Sequence, residues 1–195
     1  MLHILAGQYK GRRLLPPPVE ADTRPMTAAV RKSVFDTLSA WLGGAMVLDL
    51  YCGTGTIGLE ALSRGAGRCC FAERDRLVLE RLRRNIEAVG AQDRSVVWAG
   101  DIPCQLASRL GTLDRPADLV FVDPPYAQAR DWEWATMVDQ VFAPLAGRLE
   151  AQGVLVLRLP SEVPPPADLA GLTLKRAKGR GRMTWGFYQR PKVED

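Results

Sequence analysis

The 195-residue sequence predicts an α/β fold: a mostly parallel β-sheet with helices on both faces and an antiparallel C-terminal edge. Three observations carry this expectation. Apolar runs without polar alternation, such as Leu119-Val120-Phe121-Val122 and Val154-Leu155-Val156-Leu157, read as strands buried on both faces. They alternate with segments of helical period between residues 46 and 159. After Pro164-Pro165-Pro166 the alternation stops, and residues 172–177 and 183–189 read as consecutive strands joined by Lys178-Gly179-Arg180-Gly181.

In chain order, residues 3–6 and 12–15 flank Gly7-Gln8-Tyr9-Lys10-Gly11, the pattern of a β-hairpin. Pro16-Pro17-Pro18 stiffens the exit. Residues 27–42 carry Val30, Val34, Phe35, Leu38, Trp41 and Leu42 on one helical stripe, which Gly43-Gly44 ends. Strands are expected over 46–50, 68–73, 95–99, 119–123 and 153–159. Helices are expected over 56–64, 75–89 and 103–110. A further helix is expected to carry Val138, Val141, Phe142, Leu145 and Leu149.

Hydrophobic residues at 47% and charged residues at 25% fit one globular domain with a full core. No segment approaches the roughly 18 uninterrupted apolar residues of a membrane span. The N-terminus reads as no signal peptide, so a cytoplasmic location without membrane association is expected. Cys52, Cys69, Cys70 and Cys104 form no CxxC pair, and His3 is the only histidine. Buried thiols and no metal are expected, and a His-based triad is excluded. Charge is uneven: residues 1–32 hold six basic and two acidic side chains, and residues 33–172 hold thirteen and eighteen. From Lys175 to Lys192 there are seven basic residues and no acidic one. Positive ends around an acidic middle suit a polyanion held by the termini. Lys10, Arg12 and Arg13, with Lys175, Arg176, Lys178, Arg180 and Arg182, are the expected phosphate contacts, at the rim of a cleft.

Gly53-Thr54-Gly55-Thr56-Ile57-Gly58 matches GxGxxG between a strand and a helix. Alone it suits a nicotinamide dehydrogenase nearly as well as a methyltransferase. Asp49, four residues before Gly53, tips the balance. An anion there repels a pyrophosphate and attracts the ammonium of S-adenosylmethionine. Glu73 ends the second strand, placed for the ribose hydroxyls. Asp101, after the third, is placed for the adenine amine, with the Ile102 N–H facing the ring. Acids at three successive strand ends lie where open α/β sheets bind ligands.

Asp123-Pro124-Pro125-Tyr126 follows the fourth strand and names the chemistry: methyl transfer to a conjugated nitrogen. An aromatic amine is a poor nucleophile because its lone pair is delocalised. Acceptors aligned with its N–H bonds, here the Asp123 carboxylate and the Pro124 carbonyl, favour its pyramidal, nucleophilic form. Tyr126 offers a ring face for a base drawn from its stack. No cysteine follows the prolines, against carbon methylation through a thiol adduct.

The chain resembles the RsmD-type family of bacterial 16S rRNA guanine-N2 methyltransferases. The match includes Gly7-x-x-Lys10-Gly11-Arg12-x-Leu14, Arg24-Pro25-x-Thr27, Val30-Arg31-x-x-x-Phe35-x-x-Leu38 and Leu48-Asp49-Leu50. It continues through Gly53-x-Gly55-x-x-Gly58-Leu59-Glu60-Ala61-Leu62-Ser63-Arg64-Gly65-Ala66 to Asp123-Pro124-Pro125-Tyr126. The resemblance implies a Rossmann-like, class I, seven-stranded sheet, with residues 1–18 as a basic hairpin and linker and 19–195 as the methyltransferase domain. It implies S-adenosylmethionine as cofactor and N2 of guanine 966 of 16S rRNA as target, within the small ribosomal subunit and by a monomer. Arg24, Pro25 and Thr27 would cover the methionine end of the cofactor. Met26, Ala28, Tyr51-Cys52 and Thr54 depart from the family's usual residues, which bears on cofactor affinity. An adenine-N6 or glutamine-N5 methyltransferase and a non-catalytic RNA-binding module are the alternatives.

Overall fold

A computed structural model describes residues 2–18 and 26–191. Eight strands form one sheet: β1 (Met46–Leu50), β2 (Arg68–Glu73), β3 (Ser95–Ala99), β4 (Ala117–Val122), β5 (Leu149–Pro160), β6 (Asp168–Leu169), β7 (Leu172–Arg180) and β8 (Met183–Gln189). Their order is β3-β2-β1-β4-β5-β8-β7-β6. The first five pair in parallel; β8, β7 and β6 pair antiparallel. The expected seven strands are all present, and β6 is an additional two-residue edge.

Alternate residues of the central strands face two separate cores. Val47, Phe71, Phe121 and Val156 pack with α1 (Ala28–Thr37), α2 (Thr56–Ser63) and α3 (Arg76–Val89). Leu48, Ala72, Val122 and Leu157 face α4 (Ile102–Gly111) and the helices after β4, namely α5 (Tyr126–Arg130), α6 (Trp134–Met137) and α7 (Ala143–Gly147). Burial on both faces explains why these strands read as unbroken apolar runs. Cys69 and Cys70 fall in opposite cores, as strand alternation requires. Cys104, expected to be buried, is exposed.

Three expectations are corrected. First, residues 3–6 and 12–15 pair only briefly: His3 and Arg13 form one antiparallel bridge, flanked by Ile4 N–H to the Arg12 carbonyl and Leu14 N–H to the Leu2 carbonyl, both at 3.0 Å. Beyond that pairing, the backbone donors turn to α2. The Leu5 and Ala6 N–H groups donate to Glu60 Oε2 and Oε1 at 2.8 and 3.2 Å. Tyr9 N–H donates to Ser63 Oγ at 2.9 Å and Gln8 N–H to the Ser63 carbonyl at 2.7 Å. The N-terminal segment is thus held both by its own cross-bonds and by α2, and Ile4, Tyr9 and Leu14 join the α1–α3 core.

Second, the helix expected through residues 138–149 is interrupted. A π turn over Val138–Phe142 separates α6 from α7, with the Ala143 N–H reaching the Val138 carbonyl. Pro144 has no N–H to continue a regular ladder. Leu149 then opens β5. Third, the helix expected over 27–42 ends at Thr37 and is followed by a 3-10 turn over Ser39–Trp41.

Candidate active site

A cleft of about 330 Å³ opens at the C-terminal ends of β1 to β4, where the loops after successive strands converge. Gly53, Glu73, Asp101, Ile102, Asp123 and Tyr126 all line it. The structure therefore brings together the glycine loop, two of the three strand-end acids and the Asp-Pro-Pro-Tyr turn.

The glycine loop is built on internal acceptors. Gly53 N–H donates to Glu73 Oε2 at 3.0 Å, Gly55 N–H to the Cys52 carbonyl at 2.9 Å, and Gly58 N–H to Asp49 Oδ2 at 2.8 Å. A pyrophosphate-binding loop presents such N–H groups to the phosphate oxygens. Here all three glycine N–H groups bond within the protein and are not presented to a ligand. Gly58 is also needed for packing: a Cβ there would stand 2.3 Å from the Phe71 ring and 2.6 Å from Cys69 Sγ.

Asp49 does not reach the cleft wall. It is fully buried beneath the loop, and among the described residues its Oδ1 has no hydrogen-bond partner. Burial pushes its carboxyl up to about 8, opposed by the Gly58 hydrogen bond and aided by Asp123 and Glu73. A buried, underused acceptor among neighbouring acids favours a cation above it. Glu73 Oε1 accepts the Arg74 and Asp75 N–H groups at 2.8 and 3.0 Å, so this carboxylate fastens the loop as well as facing the cleft. Asp101 lies 3.6 Å from the Arg74 guanidinium.

Arg24 and Pro25 lie outside the described residues. Thr27 is exposed at the start of α1 and faces a second groove by Arg31; Met26 lines both that groove and the cleft, and Pro17 lines the cleft. Pro124 is buried and does not line the cleft, and Pro125 forms the start of α5.

Of the eight basic residues expected to hold phosphate, Arg182 alone lines the cleft. The β5–β8 register explains this: Met183 pairs with Pro160, at the cleft end of the sheet, so the β7–β8 turn carries Arg180 and Arg182 to that end. Lys178 donates to Thr37 Oγ1 at 2.7 Å, while Lys175 and Arg176 are exposed further along β7. Lys10, Arg12 and Arg13 are exposed but not at the cleft wall. Gln8 and Tyr9 bind Ser63, the last residue of α2, and α2 runs away from the glycine loop for about 12 Å.

Arg158 is the residue that sequence reasoning missed. It lies in β5, nearly buried, and ion-pairs through Nε with Asp123 Oδ1. Its guanidinium lies 5.1 Å from the Tyr126 ring centroid and 5.7 Å from that of Trp185. One face of Tyr126 is therefore occupied. Burial raises the Asp123 carboxyl to about 6, with Arg158 pulling it back down. Tyr51, whose φ of 57° is rare for a side-chain-bearing residue, also lines the cleft. The signal for Arg158 was in the chain: a charge within Val154-Leu155-Val156-Leu157-Arg158-Leu159 must find a partner.

Parallel order 3-2-1-4-5, an antiparallel edge, an internally bonded glycine loop and an acid-lined cleft define a class I S-adenosylmethionine-dependent methyltransferase. Residues 2–189 match the family described as Conserved hypothetical protein 95. The chain is 31% identical over 189 residues to Ribosomal RNA small subunit methyltransferase D of Escherichia coli K12, covering 97% of this chain and 90% of that protein. The solved structure of the Escherichia coli protein yhhF superposes with a TM-score of 0.77 at 30% identity, covering 97% of each chain. The Thermus thermophilus hypothetical protein TTHA0928 gives 0.79 at 26% identity, covering 97% of this chain and 99% of that one. The chain belongs to the RsmD-type family of rRNA methyltransferases.

Proposed function

We propose that this protein methylates the exocyclic N2 of guanine 966 of 16S rRNA, in the assembled small subunit and in the cytoplasm. The observation that carries this reading is the Asp123 carboxylate at the cleft wall, one strand away from the glycine loop. S-adenosylmethionine supplies an electrophilic methyl on a sulfonium, and its departure leaves a neutral thioether.

The protein's part is binding, orientation and proton handling. Glu73, Asp101 and the Ile102 backbone N–H are the groups for the ribose and adenine. Buried Asp49, protonated at neutral pH without cofactor, is the carboxyl that the ammonium of the methionine end would draw into its ionised form. Asp123, mostly ionised at neutral pH with a pKa near 6, accepts an N–H of the guanine amine. This keeps the nitrogen lone pair directed at the methyl carbon while the C–S bond breaks. The proton freed from nitrogen passes from the Asp123 site to solvent. The rest of the acceleration is alignment. Arg180 and Arg182 hold phosphates at the cleft, with Lys175, Arg176 and Lys178 extending that contact along β7. Lys10, Arg12 and Arg13 hold a more distant stretch of the RNA.

The experiment is transfer from methyl-labelled S-adenosylmethionine to small subunits lacking this modification, followed by nuclease digestion. Label recovered as N2-methylguanosine is the expected result. Label in N6-methyladenosine or in protein would refute the target assignment.

A further inference from the structure

We propose that Arg158 is the positioning residue of the methyl-acceptor site, locking the Asp123 carboxylate and the Tyr126 ring into one arrangement. This rests on the reading of Asp123 as acceptor of the target amine. The β4–β5 register pairs Val122 with Leu157, so Asp123 and Arg158 are the next residues along neighbouring strands. Across the other edge of β5, Arg158 pairs with Trp185 of β8. One guanidinium thus links the acceptor turn to the antiparallel edge. Its Nε engages Asp123 Oδ1, its Cζ lies 5.1 Å from the Tyr126 ring centroid and 5.7 Å from that of Trp185, and its Nη1 comes within 3.9 Å of Met183 Sδ.

A charge on a strand buried from both faces is expensive unless paired. Nothing about the sheet itself requires one at this position, where an aliphatic residue would continue the β5 core. The pairing leaves Asp123 Oδ2 for the incoming N–H and sets the direction from which that oxygen accepts. It also opposes the effect of burial on the same carboxylate, while Asp123 in turn raises the carboxyl of Asp49 on β1. Arg130 and Arg182 line the same cleft. Arg158 differs from them in being buried and in contacting both Asp123 and Tyr126.

The test compares Arg158→Met, Arg158→Lys and Asp123→Asn in single-turnover methyl transfer across pH, with S-adenosylhomocysteine binding measured alongside. Arg158→Met is expected to lower the rate roughly 100-fold, the scale of a misplacement near one ångström, with ligand binding within about twofold of wild type. Its acid limb should move up by about one pH unit or more, because an opposite charge is lost beside a carboxylate. Arg158→Lys, which keeps the charge without the planar fork, should restore the acid limb and only part of the rate. If Arg158→Met does not fold, Arg158→Gln takes its place. An unmoved acid limb with more than half the wild-type rate would overturn the proposal, as would equal losses of rate and ligand binding in all Arg158 variants. Full activity in Asp123→Asn would instead overturn the acceptor reading itself, which an active Arg158→Met beside an inactive Asp123→Asn would leave standing.

Discussion

Asp49 Oδ2 accepts the Gly58 N–H at 2.8 Å from a position sealed beneath the glycine loop. This one bond joins the end of β1 to the first turn of α2 and fixes the curvature of the loop between them. It does so with a carboxyl group that burial holds at about 8, far above the ordinary 3.8.

That displacement has a sign. Between about 4 and 8 the folded protein keeps a proton on Asp49 that the unfolded chain has lost, so raising the pH favours unfolding until the folded group also ionises. The stability gain of Asp49→Asn over wild type, without cofactor, should therefore grow from pH 5 to pH 8. Thermal unfolding of both proteins across that range is the check. A constant difference would mean that Asp49 titrates normally. Asp49→Asn should also weaken S-adenosylmethionine binding, because the carboxyl that the bound ammonium would draw into its ionised form is gone.

Asp123→Ala should reduce kcat by roughly two to three orders of magnitude, the scale seen when one preorganised transition-state contact is removed. Binding of S-adenosylmethionine should be nearly unchanged, since Asp123 makes no hydrogen bond to the glycine loop among the described residues. Calorimetry with the cofactor beside steady-state rates separates the two effects. Retention of more than about a third of wild-type turnover would remove Asp123 from the mechanism.

Gly7→Ala should undock the N-terminal segment. Gly7 has φ +82°, and a Cβ there would lie 1.8 Å from the Ser63 carbonyl oxygen, so the backbone must move. The hydrogen bonds from Leu5, Ala6, Gln8 and Tyr9 to α2 are lost or bent with it. A loss of about 2 kcal/mol or more in urea unfolding is expected. A loss below about 0.5 kcal/mol would show the segment to be marginal to stability.

The two basic groups should separate by salt dependence. Each phosphate contact adds about 0.7 to 0.9 to the slope of log affinity against log salt. Arg180→Ala with Arg182→Ala should lower that slope by roughly 1.5, leaving cofactor affinity unchanged. The Lys10/Arg12/Arg13→Ala variant should lower it by roughly 2 if the RNA extends along the protein from the cleft to the far end of α2. Filter binding to 16S rRNA or small subunits gives both slopes. An unaltered slope in the second variant would make the N-terminal segment a structural clamp only.

The sheet was legible because its strands are buried on both faces, which leaves unbroken apolar runs such as Leu119-Val120-Phe121-Val122. The glycine loop and Asp-Pro-Pro-Tyr were legible because backbone geometry restricts the residues at those positions. What escaped depends on contacts distant in sequence. Glu60 takes two backbone donors from residues more than fifty positions away, and so ties to α2 a short hairpin that local pattern reads as free-standing. Asp49 reads as a strand-end acid facing a ligand, yet its bond to Gly58 turns it under the loop. Arg158 reads as a stray charge in β5 until the β4–β5 register sets it beside Asp123. The location of the hairpin charges was equally hidden, because it follows from where Ser63 ends α2.

Nucleoside mass spectrometry of 16S rRNA, from cells with and without this gene, tests the central claim most directly. The account predicts that N2-methylguanosine at position 966 disappears with the gene, returns with the wild-type copy, and does not return with Asp123→Ala. Full methylation of that guanine in cells lacking the gene, or restoration by the Asp123→Ala copy, would contradict it.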